Sequence, residues 1–171
     1  MAGSLIKIDE EIVSSAVSSV TLTGIDSTYD VYMVRLSNVQ PATDAAYLRM
    51  RFTVSGSADT SSNYDRVAKE LRADTTFGNS SQTNADGFNF IQNGTSTSET
   101  HNSIMYLFNF NNASEYSFAT FEETSFMYAV ALRGRNGGGV LTVAQATDGV
   151  NYFFSSGNID SGTFTLYGLK K

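Results

Sequence analysis

The chain has no cysteine and no tryptophan, and only one proline and one histidine among its 171 residues. Without thiols there is no disulfide, no thiolate metal site and no cysteine nucleophile, and the redox compartment stays open. With one histidine there is no multi-histidine metal centre, and any Ser/His/Asp arrangement must use His101. Charge is scarce as well: charged residues make up 16% of the chain, with 11 Lys plus Arg against 17 Asp plus Glu and a net charge of −6. Phosphate backbones and anionic bilayers both demand clustered cations, so no nucleic acid and no membrane surface is expected as partner. No run approaches the roughly 18 consecutive apolar residues of a membrane-spanning helix. Residues 1–9, MAGSLIKID, carry no cationic segment ahead of a long apolar one, so a cytoplasmic origin without a secretory signal is expected.

What is present points to sheets. Nine Tyr and twelve Phe stand against thin helix formers, and short Ser, Thr and Asn side chains must cover much of the surface. The clearest strand is 46–54, AYLRMRFTV, with Leu48, Met50, Phe52 and Val54 on one face and Tyr47, Arg49, Arg51 and Thr53 on the other. Further strands are read at 5–8, 18–23, 29–37, 88–91, 104–110, 116–121, 126–133, 140–146, 150–155 and 163–167. Turn chemistry separates many of them, around Pro41, at 111–114, at the glycine-rich 134–139 and at 147–149. Strands at this spacing predict one all-β domain over 1–171. Its expected form is a two-sheet antiparallel sandwich, jelly-roll-like, of about nine or ten strands. One segment reads otherwise. In 63–73, NYDRVAKELRA, Tyr64, Val67, Ala68 and Leu71 fall at helical spacing, which predicts a short helix.

Chemistry is sparse. His101 sits among Ser98, Glu99, Thr100 and Asn102 and reads as an exposed loop residue, with no Gly-x-Ser-x-Gly elbow to pair with it. Glu122 and Glu123 are adjacent on a strand and point to opposite faces, so they cannot flank one glycosidic bond. Asp148 and Asp160 lie in turn sequences, where Asp bonds its own backbone. Arg133 to Gly139, RGRNGGG, lacks the Lys-Ser/Thr and the helix that a phosphate loop needs, and reads as a flexible hairpin tip with two solvated arginines. Asn79, Asn93 and Asn112 open glycosylation-type triplets of little weight. The tyrosines at 29, 32, 47, 106, 116, 128, 152 and 167 read as core and sheet-face residues rather than as a sugar platform. No catalytic, cofactor-binding or metal residue is expected.

Several segments carry a resemblance. They are the close SSGNIDSGTFTLYGLKK at 155–171, GIDSTYDVY at 24–32, PATD at 41–44, and YLFNF at 106–110. In these the chain resembles small all-β virion structural proteins of tailed marine bacteriophages, with Phe110 where a proline is common. The resemblance implies a non-enzymatic protein of the virion, decorating or cementing the outer capsid surface, with the major capsid protein and other virion proteins as partners. It implies a homo-oligomer, trimers being common among jelly-roll virion subunits. Residues 1–11 would be an anchoring arm or a first strand. A tail fibre, collar or receptor-binding appendage is the alternative, and a carbohydrate-binding module a second.

Overall fold

The computed structural model describes residues 4–74, 76–127 and 131–170. These form thirteen strands and, among the described residues, no helix: β1 (Ser4–Val13), β2 (Val20–Thr23), β3 (Val31–Pro41), β4 (Ala46–Val54), β5 (Ser57–Ala58), β6 (Tyr64–Arg72), β7 (Gly78–Ala85), β8 (Phe88–Asn93), β9 (His101–Phe108), β10 (Ser117–Met127), β11 (Ala131–Leu141), β12 (Gly149–Phe154) and β13 (Ile159–Lys170). They make two sheets. One has eight strands in the order β1-β13-β3-β9-β10-β11-β6-β7. The other runs β2-β12-β4-β5, with β8 also paired to β4. Ladders in both sheets are antiparallel.

The core lies between the sheets. Alternation holds on β4 as far as Phe52, beyond which Thr53 is buried and Val54 only half-buried. Leu48, Met50 and Phe52 are fully buried, while Arg49 and Arg51 turn outward, pair with Asp86 and lie over the Phe153 ring. Phe52 is the centre of an aromatic cluster. It meets Tyr64, Phe88 and Phe110 edge-on at centroid distances of 5.8, 5.5 and 4.7 Å. Such contacts each add about 0.5–1.5 kcal/mol beyond the area they bury. The Tyr64 hydroxyl accepts the Phe52 amide and donates to the Asp59 carbonyl, so a buried polar tip is satisfied.

Thirteen strands replace the expected nine or ten: β5, β6 and β7 stand where no strand was expected. Residues 63–73 are not helical. They form β6, because pairing with β7 and β11 supplies backbone partners on both edges and overrides local helix propensity. Gly134 to Gly139 is not a hairpin tip. It lies inside β11, paired to β10 on one side and β6 on the other. The glycines are there for close approach: a Cβ at Gly139 would stand 2.5 Å from the Phe88 ring, and one at Gly137 2.2 Å from the Val67 carbonyl oxygen. The strands expected at 126–133 and 140–146 are therefore parts of other elements. The first straddles β10 and β11, with 128–130 outside the described residues, and the second ends at Leu141. The described part of the N-terminal segment is the first strand, β1, an edge strand paired with β13 from Ser4↔Lys170 to Val13↔Gly162. Pro41 closes β3 rather than sitting in a turn beyond it.

Candidate functional site

Strands β9, β10, β11 and β6 lie side by side, and alternation sends successive side chains to opposite faces. The two faces hold the molecule's most unusual chemistry.

Inward, the strands gather charge. Glu70 on β6 is the hub. Arg135 donates to its Oε2 from Nε and Nη2 at 3.0 and 2.9 Å, and Arg133 Nη1 stands 3.2 Å from its Oε1. Arg72 lies farther out, 3.8 Å from Oε1. Glu123 on β10 sits deeper, its side chain wholly buried, and its Oε2 accepts the Ile91 amide at 2.8 Å. Burial raises its pKa to about 7, against the pull of Arg135 at 3.9 Å, the Ile91 amide and Arg66. Arg66 donates to Gln82 Oε1 and Ser80 Oγ at 2.9 and 2.8 Å. Burial, then repulsion from Arg135, lowers its pKa to about 10, which leaves it charged at neutral pH.

His101 opens β9 and is fully buried, not an exposed loop residue as its neighbours suggested. Its ring packs against Phe90 at 5.9 Å, and Nε2 lies 3.1 Å from Ser103 Oγ. Burial, then Arg135, lowers its pKa to about 3. The approach of Nδ1 to Glu123 Oε2 at 3.6 Å is therefore the contact of a neutral imidazole, not an ion pair. Among the described residues, five of the six buried side-chain atoms without a hydrogen-bond partner lie in or beside this cluster: Arg66 Nη1, Asn93 Oδ1, His101 Nδ1, Glu123 Oε1 and Arg133 Nε. A neutral imidazole beside a carboxyl titrating near neutrality is the raw material of acid–base chemistry. Here both side chains have no exposed surface, and the paired charges of Glu70, Glu123, Arg133 and Arg135 link β6, β10 and β11.

Outward, the same strands carry a groove of about 850 Å³. Arg35 and Ile104 stand on one side, Leu71, Leu132 and Phe77 on the other, and Glu122 rises from the floor. Gly134 leaves part of that floor bare; a Cβ there would meet the Glu123 carbonyl oxygen at 3.4 Å, an ordinary contact. Asn136 Nδ2 donates to Glu122 Oε1 at 3.2 Å, and Arg35 Nε donates to Ser37 Oγ at 3.0 Å.

Glu122 and Glu123 do point to opposite faces, one exposed and one buried. Arg133 and Arg135 are not solvated; their side chains retain 14% and 9% exposure and bind Glu70. Asp148 bonds across the chain instead of to its own backbone, accepting Thr53 Oγ1 at 2.5 Å and the Gly56 amide at 2.8 Å. Asp160 is an exposed residue of β13, not of a turn. Asn112 accepts the Ser114 amide in a turn, Asn79 lies on β7, and Asn93 is buried on β8. Tyr32 and Tyr152 are core residues, Tyr47, Tyr106 and Tyr116 are exposed, Tyr29 and Tyr167 are half-buried, and Tyr128 lies outside the described residues. Among the described residues, no group of three or more His, Cys, Asp or Glu could hold a metal ion. The residues that sequence reading missed are Arg66 and Glu70. Their signal was the period-two series Tyr64, Arg66, Ala68, Glu70, Arg72, masked by apolar residues at helical spacing. Family models, curated proteins and solved structures yield no match to the chain.

Proposed function

We propose that the chain is a non-enzymatic structural protein of a tailed-bacteriophage virion, decorating the outer capsid surface as a homo-oligomer. The observation that carries this reading is strand order. Eight of the strands stand as β1-β13-β3-β9 in one sheet and β2-β12-β4-β8 in the other. That interleaving of early and late strands is the order of a jelly roll, an architecture shared by many capsid domains. On this reading β5, β6 and β7 are an insertion before the fifth jelly-roll strand, and β10 and β11 an insertion after the sixth. Together the insertions widen one sheet beyond the other. The sequence likeness of segments 24–32, 41–44, 106–110 and 155–171 to phage virion proteins supports the same reading. Repetition over a symmetric shell would turn modest single-site affinity into firm attachment. Immunogold electron microscopy of purified virions tests it. Dense label over heads is the expected result; label confined to tails would make the protein an appendage, and virions without label would overturn the proposal.

A further inference from the structure

The outward face of the eight-stranded sheet is poorly suited to water. Ile104 and Tyr106 on β9, Phe118 and Phe126 on β10, Leu132 on β11 and Val67 on β6 are each at least 39% exposed. They occupy four adjacent strands on the face where an antiparallel sheet ordinarily turns polar side chains to solvent.

The charges on that face follow an order. The ladder registers align one row across the sheet: Glu10↔Thr165, Thr165↔Arg35, Arg35↔Ile104, Ile104↔Glu122, Glu122↔Asn136 and Asn136↔Lys69. Read from β1 to β6, the exposed members run negative (Glu10), positive (Arg35), neutral (Ile104), negative (Glu122), neutral (Asn136), positive (Lys69). The row is antisymmetric about Ile104. Arg35 and Glu122 each lie one strand from β9 on opposite sides, and Glu10 and Lys69 each lie three strands away. Glu10 is held on this face by the Thr165 hydroxyl, which donates to its Oε2 at 3.3 Å, and by Lys7 at 2.9 Å.

We propose that two copies of the chain pack these faces together about a twofold axis running along β9. This deepens the homo-oligomer of the virion reading and rests on it. Rotation by half a turn about that axis exchanges the two sides of the row. Arg35 then faces Glu122 of the second copy, Glu122 faces its Arg35, and Ile104 meets Ile104 on the axis. Farther out, Glu10 comes opposite Lys69. Every charge of the row meets its opposite, with Lys7 remaining the partner of Glu10, and this is the self-complementarity that an isologous contact requires. A different protein would need no such antisymmetry, so the row speaks for a second copy. Packed sheets cross at about 30°. The pairs beside the axis therefore set the register, and the Glu10 and Lys69 charges act mainly in steering.

The test is chain mass against concentration, by sedimentation equilibrium, on the full-length protein. The wild type is expected to approach two chains at micromolar concentration, and Ile104→Asp to give one chain with an unchanged β-type circular dichroism spectrum. Arg35→Glu and Glu122→Arg, made singly, place like charges opposite each other and should each raise the dissociation constant at least ~10-fold. Together they should restore it to near the wild-type value. A wild type of one chain, an Ile104→Asp variant as associated as the wild type, or a double variant no tighter than the singles would each overturn the interface. The virion reading is scored separately: labelled heads with a one-chain protein would sink the interface alone, and a two-chain protein absent from virions would sink the virion reading alone.

Discussion

The inner face of the large sheet has two unlike halves. Toward β13 and β3 it is apolar, presenting Tyr32, Val34, Leu36, Phe164 and Leu166, all nearly or fully buried. Toward β11 and β6 it presents Arg66, Glu70, Arg72, Arg133 and Arg135. The cause is a mismatch in width. Eight strands stand over a smaller sheet whose path holds four, with β8 at its flank, so the outermost strands extend past their apolar cover. An inner face without a full apolar lid has to satisfy itself, and it does so with paired charges. The halves fail differently as well. An apolar packing loses contacts in proportion to the volume removed, whereas a charge cluster loses one partner and strands the rest.

The largest expected effect comes from breaking the apolar half. Phe52→Ala removes the ring that three other aromatics meet, and should cost about 3–5 kcal/mol in urea unfolding. In the charged half, Glu123→Ala leaves the buried Ile91 amide without an acceptor and Arg135 with one fewer carboxylate; about 1–3 kcal/mol is expected by the same measurement. At the join, Gly139→Ala drives a methyl into the Phe88 ring, with an expected cost of about 1–3 kcal/mol.

The pH profile sharpens the contrast, because the titrating pair belongs to the charged half. Glu123 holds its proton more tightly folded than unfolded. Its contribution to stability is full below about pH 4.5 and is lost as pH rises through about 7. His101 runs the other way: its contribution is full above about pH 6.5 and is lost as pH falls toward about 3. Between pH 4.5 and 6.5 the two trends offset. Unfolding free energy measured across pH should therefore form a plateau with a fall on each side. Glu123→Gln should remove the fall on the alkaline side and leave the acid side in place; an unchanged alkaline fall would assign it to another group. The smallest effect is expected at Ile12 on edge strand β1, which is 68% exposed. Ile12→Thr should change stability by no more than about 0.5 kcal/mol.

Where a strand had one apolar and one polar face, its sequence was legible. Leu48, Met50 and Phe52 alternate with Tyr47, Arg49 and Arg51, and their burial follows that pattern. Where the inner face is charged, the same logic misleads. On β6 the buried side chains include Arg66, while Val67 and Leu71 are exposed. Apolar spacing therefore traced no core face, and helix propensity filled the gap. The glycines of β11 misled for another reason. Glycine marks a turn when its backbone freedom is used, but here the missing side chain is what the packing needs, and that need depends on Phe88 and Val67, far away in the chain. His101 and Glu123 were both noticed, but no local signal shows that strand pairing brings them to the same buried point.

The pairing of β1 with β13 also sets an order of events during synthesis. Lys7 and Tyr167 are ladder partners separated by 167 − 7 = 160 residues. At roughly 5–20 residues per second on the ribosome, β1 waits on the order of ten seconds or more for its partner. β9 pairs with β10 and β10 with β11, so these three can close well before β13 is made, as a three-stranded meander. The waiting strand, SLIKIDEEIV, carries Lys7, Asp9, Glu10 and Glu11. That density of charge protects a lone strand from joining another nascent chain while its own partner is still being made.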